Sequence, residues 1–292
     1  MANGVKKIAG YLRLIRPINC FMVGFAVIVG AVLSDASFFP NNILPSLVYG
    51  FLTGFLLTAA SMAINDYYDR EIDAINEPTR PIPSGLIKPK EALVFAGFLS
   101  VLGLFTAVLT NPRVVNYCLA TALIFWLISM SYVTFGKRRG FLGNLMVSAC
   151  VSAPFIYGSL VLSGAVKGNI WIFVAMVFLS NTGREITKGI VDVQGDKVRN
   201  IKTLAVLYGE RKAAAIAATF YLLAVALTPL PLLWSLVSFW FIPAVIITDG
   251  GLITSSIMLL KNPSRDNARR VKSQVLGWFL TGLVAFLLGS LW

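Results

Sequence analysis

Two short stretches of this 292-residue chain concentrate oxygen ligands. Asn65, Asp66, Asp69, Glu71 and Asp73 crowd into NDYYDREID, and Asp192 and Asp196 bracket DVQGD. Asn65, Asp69 and Asp73 recur at i, i+4 and i+8 with Asp66 close to the same stripe, so a helix continued through the segment carries them on one face. Asp192 and Asp196, at i and i+4, also share a helical face. Like charges at that spacing repel, which an uncommitted surface helix avoids. Carboxylates beside an amide oxygen are the hard ligands that Mg²⁺ prefers, and Mg²⁺ leaves its other positions to water and phosphate oxygens. Two such clusters facing each other could hold Mg²⁺ against a diphosphate. A single acid at a helix end is more simply a solvated loop residue; it is the pair of clusters that favours the ligand reading.

A bound diphosphate also needs cations. Arg80 sits in RPIPSG, where Pro81 and Pro83 stiffen the backbone and Gly85 permits a turn. Lys137 and Arg138 open a later loop, and Arg184, Lys188 and Lys202 surround the second acid cluster. Arginine clamps phosphate oxygens in pairs and lysine acts as a point charge. Arg139, Arg211 and the set Lys261, Arg265, Arg269, Arg270 and Lys272 read instead as charge facing the membrane surface.

Much other chemistry is excluded. With no histidine in the chain, a Ser-His-Asp relay, a His-ligated metal and a histidine pH switch are all ruled out. Cys20, Cys118 and Cys150 lie in apolar stretches without CxxC spacing and read as small buried hydrophobes. No GxxxxGK[ST] or GxGxxG loop supports ATP hydrolysis or dinucleotide binding.

The elements that carry these residues are set by composition. The chain is 57% hydrophobic and only 13% charged, with a mean hydropathy of +0.77; soluble domains are roughly 25% charged. Apolar runs long enough to cross about 30 Å of hydrocarbon fall at 17–34, 44–64, 91–110, 114–135, 142–162, 168–187, 213–233, 239–260 and 273–292. The expectation is an all-α polytopic membrane protein of nine transmembrane helices, a single domain over 1–292.

Alternate connecting segments share a side of the membrane, and 23 of the 25 Lys and Arg fall on one side. The positive-inside rule then places the N-terminus and both acid clusters in the cytoplasm and the C-terminus outside. Basic charge so placed concerns topology and lipid, and nucleic acid is not needed to explain it. Eleven of the 13 acids lie on the same side, Asp35 lies outside, and Asp249 falls within the eighth run. An intramembrane carboxylate is costly and suspect, but Asp249 is far in depth from the clusters and is left out of the site. No cleavable signal is apparent: the first apolar run is too long for a typical signal core. Before it, Ile8, Tyr11, Leu12 and Ile15 among Lys6, Lys7 and Arg13 suit an amphipathic helix on the cytoplasmic surface. Gly24, Gly30, Gly54, Gly103 and Gly158 are expected to let helices approach closely.

NDYYDREIDAINEPTRPIPSG, residues 65–85, resembles the first signature of the UbiA superfamily of intramembrane prenyltransferases, NDxxDxxxD followed by an RPIPSG-type element, and DVQGD resembles the second. The resemblance covers nearly the whole chain and implies nine helices around a central chamber. REITKGIVDVQGDKVRNIKTL, residues 184–204, is most similar to the archaeal branch that makes digeranylgeranylglyceryl phosphate. That branch transfers geranylgeranyl from its diphosphate to the hydroxyl of geranylgeranylglyceryl phosphate. Two departures stand out: relatives often carry an acid where this chain has Gly189, and another where it has Val191.

The resemblance implies that Asn65, Asp66, Asp69, Asp73, Asp192 and Asp196 hold Mg²⁺ against the donor diphosphate. It further implies that Arg80, Lys137 and Lys188 neutralise phosphate oxygens and that Arg16 and Asn19 line the same chamber. Tyr132, one turn before Lys137, either faces the allylic carbon or anchors the helix at the interface. The implied partners are a prenyl diphosphate donor, a lipid-like acceptor and the bilayer; no obligate protein partner is implied. Three alternatives remain open: a quinone precursor as acceptor, chlorophyllide as acceptor, and, from a different class, an ion-coupled transporter.

Overall fold

The computed structural model describes residues 2–34, 43–198 and 200–291; Asp35 and Arg199 lie outside the described residues. Among the described residues thirteen α-helices follow in chain order: α1 Ala2–Ile15, α2 Pro17–Ser34, α3 Ile43–Asn76, α4 Pro89–Thr110, α5 Val115–Thr134, α6 Phe141–Ser163, α7 Ile170–Val191, α8 Val193–Val198, α9 Leu204–Tyr208, α10 Glu210–Leu227, α11 Leu230–Leu233, α12 Phe241–Lys261 and α13 Arg265–Gly289. A single 3-10 turn, Gly136–Arg139, joins α5 to α6.

Among the described residues eight helices are long and apolar enough to cross a membrane. The ninth of spanning length, α7, has a polar C-terminal half. Its Asn181, Thr182, Glu185 and Thr187 are buried. Thr182 donates to Ser148 on α6 at 2.8 Å, and Thr187 shares a 3.0 Å hydrogen bond with Tyr221 on α10. Flanking helices satisfy Asn181, Thr182 and Thr187, and neighbours on α7 itself satisfy Glu185, so the helix needs less intrinsic hydropathy.

The other helices turn apolar side chains outward. On α4, Val94, Phe98, Val101 and Phe105 recur on one face and are all exposed, an inversion of the soluble pattern that suits lipid contact. The protein is a multi-pass membrane protein. Four phenylalanines, Phe155, Phe173, Phe241 and Phe286, pack together between α6, α7, α12 and α13. The same cluster includes Val29 and Leu33 of α2, toward the end of that helix remote from Arg16. This phenylalanine cluster and the acid clusters thus lie toward opposite ends, while smaller apolar clusters such as Leu14, Ala63, Ile82 and Ile87 pack beside the polar end. Close approach of α2 to α6 depends on Gly30 and Gly158: a Cβ on Gly30 would stand 2.6 Å from the Phe155 Cα, and one on Gly158 would collide with the Val27 carbonyl. The amphipathic segment before the first run is α1, whose Leu14 is buried while Ile8 and Leu12 remain exposed.

Candidate functional site

The second apolar run does continue through the acid cluster. Helix α3 is 34 residues long and extends to Asn76, which puts Asn65, Asp66, Asp69 and Asp73 on its last turns. Asp66, Asp69 and Asp73 are 2%, 7% and 5% exposed, so all three carboxylates point into protein. Three separate segments bring cations to them. Arg16, between α1 and α2, donates to Asp66 Oδ1 at 2.5 Å. Arg80, from the turn after α3, donates to Asp73 Oδ2 at 2.6 Å and reaches Asp66 Oδ1 at 3.4 Å. Lys137, in the 3-10 turn after α5, donates to Asp69 Oδ2, and the Asn65 amide donates to the same oxygen at 3.0 Å.

Local backbone explains how two of these cations arrive. Arg16 adopts φ +52 immediately before Pro17, a position where the right-handed helical region is disfavoured. A non-glycine residue at positive φ is uncommon, and here its guanidinium is held by Asp66. Gly140 closes the 3-10 turn at φ +58, where a Cβ would collide with the Lys202 carbonyl; glycine there lets the loop that carries Lys137 pack against the segment after α8.

The second acid pair departs from the expected geometry. Asp192 caps α7 and Asp196 belongs to the separate short helix α8, so the two do not lie on one uninterrupted helix. A single bond, Asp196 N–H to the Asp192 carbonyl at 3.0 Å, preserves the one-turn spacing across the break. Asp196 is buried and Asp192 half-buried. Burial, with Asp192 next, pushes the Asp196 carboxyl up to about 6, against the opposing pull of Lys137 and Lys188.

Helix α8 packs on α3, which brings the two clusters to the same end of the molecule. Lys137 links them, bonded to Asp69 and within electrostatic reach of Asp196. Among the described residues no three acidic or cysteine side chains are grouped as a ready metal cage. The first-cluster carboxylates are each paired with a cation instead, which relieves the repulsion that their spacing creates.

Behind this polar end lies a cavity of about 370 Å³. Arg16, Asn19, Asn65, Arg80, Tyr132 and Lys188 all line it. Tyr132 is within electrostatic reach of Lys188, Glu185, Asp69 and Asp196, so it belongs to the chamber wall. The deeper walls are apolar, with Leu57, Phe125, Trp126 and Phe279 among them. The arrangement can seat a molecule with an anionic head among cations and carboxylates and a hydrocarbon tail away from water.

Two chamber residues escaped the sequence reading. Glu185 is 6% exposed and accepts from both Arg184 and Lys188 at 3.4 Å; its spacing of three from Lys188 within REITK was the available signal. Lys272, read as a membrane-surface charge, lines the chamber from α13. That helix begins at Arg265, well before the expected apolar run, so Lys272 lies inside it. Asp249 sits apart: one oxygen accepts from Thr228 at 2.7 Å, the other is buried without a partner among the described residues, and it borders a separate cavity of about 100 Å³.

Comparison with known proteins gives this geometry a lineage. The chain is 36% identical over 283 residues to digeranylgeranylglyceryl phosphate synthase of Archaeoglobus fulgidus, covering 95% of this chain and 94% of that protein. A solved structure of a digeranylgeranylglyceryl phosphate synthase superposes with a TM-score of 0.73 at 30% identity, over 97% of this chain and 98% of the other. A UbiA homolog from Archaeoglobus fulgidus, solved with DMAPP and Mg²⁺, shares the fold at 20% identity, with a TM-score of 0.63 over 95% of this chain and 99% of that one. The sequence profile of the UbiA prenyltransferase family matches residues 23–289. This chain belongs to the UbiA prenyltransferase family.

Proposed function

We propose that the chain, working as one domain, transfers a geranylgeranyl group from its diphosphate to the hydroxyl of geranylgeranylglyceryl phosphate in a Mg²⁺-dependent reaction that forms an ether-lipid precursor. The observation that carries this reading is the junction of a carboxylate-and-cation mouth with an apolar chamber among spanning helices. The similarity to digeranylgeranylglyceryl phosphate synthases over nearly the full length supports the choice of substrates. The charge asymmetry of the connecting segments supports a cytoplasmic mouth and N-terminus and an outward C-terminus.

The donor set fits Mg²⁺: hard carboxylate oxygens at the mouth, with water and substrate phosphate oxygens as its remaining ligands. Asp66, Asp69, Asp73, Asp192 and Asp196, with Asn65, would hold it, and it supplies charge stabilisation for the departing diphosphate. Arg80, Lys137 and Arg16 add positive charge where negative charge grows as the allylic carbon–oxygen bond breaks. The apolar walls exclude water from the allylic cation, and Tyr132 borders the space in which that cation forms. The acceptor oxygen then bonds to the allylic carbon as its proton leaves, and the diphosphate is released.

Purified protein given geranylgeranyl diphosphate, geranylgeranylglyceryl phosphate and Mg²⁺ should release diphosphate and form the diether, read by mass spectrometry. EDTA should stop the reaction and added Mg²⁺ should restore it. If a quinone precursor or chlorophyllide is prenylated and the glycerol phosphate is not, the acceptor assignment fails. Failure to prenylate any acceptor, together with solute uptake into vesicles, would overturn the enzyme reading in favour of transport.

A further inference from the structure

The proposed reaction brings two anionic heads into one chamber, the diphosphate of the donor and the phosphate of the acceptor. Unless each head has its own counter-charge, the two repel. The first acid cluster is balanced: Asp66, Asp69 and Asp73 meet Arg16, Arg80 and Lys137. On the other side of the chamber the balance is broken. Arg184 and Lys188 share the single carboxylate of Glu185, each at 3.4 Å. Lys272 projects into the same chamber from α13, and its ammonium makes no hydrogen bond or ion pair among the described residues.

By direct pairing, three cations have one carboxylate among them. The Arg184 Nε is buried and has no hydrogen-bond partner among the described residues, and Arg184 lines the cavity. Asp192 acts on Lys188 and Lys272 through space without pairing with either. A phosphate monoester carries about −1.5 to −2 near neutral pH, the sign this side lacks, and its three acceptor oxygens can use both an arginine donor and a lysine point charge.

Building on the proposed function, we infer that Arg184 and Lys272 form a second anion subsite that binds the phosphate of the glycerol-phosphate acceptor, separate from the diphosphate site at α3. Glu185 is a positioning residue there, holding Arg184 and Lys188 on one carboxylate. The juxtaposition also predicts selectivity: an acceptor lacking the phosphate leaves these half-buried cations without an anionic partner.

The test compares wild type with Lys272→Gln, Arg184→Gln and Lys272→Arg in lipid nanodiscs, using the acceptor with and without its phosphate. Both glutamine variants should raise KM for the phosphorylated acceptor about tenfold or more, as loss of a charge-assisted bond does. KM for the donor should stay within about twofold, the dephosphorylated acceptor should respond little, and Lys272→Arg should recover most of the loss. Equal increases for donor and acceptor, or equal effects on both acceptors, would overturn the subsite.

A measurement on wild type alone guards against misfolded variants. Glycerol phosphate should inhibit competitively against the acceptor and not against the donor, and competition with the donor would count against the inference. If wild type prenylates only acceptors that lack phosphate, the proposed function itself is at fault, and the subsite falls with it.

Discussion

The two charged sides of the chamber solve opposite problems. At the α3 side, three buried carboxylates follow one another at about one helical turn and are each matched by a cation brought from a different segment. At the α7 and α13 side, cations outnumber carboxylates, and one arginine donor has no partner. The first side is poised to exchange its pairing when a charged ligand arrives; the second is short of negative charge from the outset. Charges drawn out of water are costly unless paired and these cations are half-buried, so the imbalance marks where an anion stabilises the fold as well as binding.

The largest expected effects lie on the carboxylate side. Asp69→Ala and Asp196→Ala should each lower turnover about a thousandfold or more while the protein still inserts and elutes as a folded species. Retained activity in both variants would remove these residues from the site and erase the contrast.

Arg80→Ala should cost stability as well as activity, because it strips a partner from Asp66 and Asp73 together. The expected loss is about 2–4 kcal/mol, below the value for a fully enclosed pair because the guanidinium is 31% exposed. Thermal unfolding in detergent checks this, and a midpoint equal to wild type would show that water, not arginine, satisfies those carboxylates.

A smaller effect concerns pH. The Asp196 carboxyl is pushed up to about 6 by burial and Asp192, above its ordinary range near 4. The protonated form is therefore favoured in the folded state. In the metal-free protein its stabilising contribution is complete near pH 4 and fades as pH rises through about 6. Metal binding runs the other way, since a carboxylate ligand must shed its proton. The Mg²⁺ concentration needed for half-maximal activity should climb as pH falls below about 6, and a flat profile from pH 5 to 7 would exclude Asp196 as a ligand.

The smallest effect belongs to Asp249, which borders the separate cavity. Asp249→Asn keeps an oxygen for Thr228 and removes a poorly satisfied charge, so activity should be unchanged and stability should hold or rise by about 1 kcal/mol. A large loss of turnover would give this cavity a part in the reaction.

The helical framework was legible in the chain because lipid imposes a strong constraint: each run must be apolar over about 20 residues. Helices α2 to α6 fall close to the expected runs, and the stripe at Asn65, Asp69 and Asp73 was visible from spacing alone. Boundaries were weaker where polar residues belong to a spanning helix. Helix α13 extends back to Arg265, with Ala268 and Val271 of its first turns buried against protein on either side of exposed arginines, and this drew Lys272 into the chamber. The seventh run breaks at Thr228 and Pro229 between α10 and α11, which hydropathy alone does not register.

Composition and periodicity settled that the chain spans the membrane many times, that its acids gather at one face and that histidine chemistry is ruled out, because each of these follows from residue type and from the faces of a single helix. Which cation meets which carboxylate, that Glu185 is shared by two neighbours and that Lys272 looks inward were decided by packing alone. Such contacts join segments far apart in the chain, as Lys137 and Asp69 are at 68 residues, and the pattern along one helix carries no information about the helix it will face.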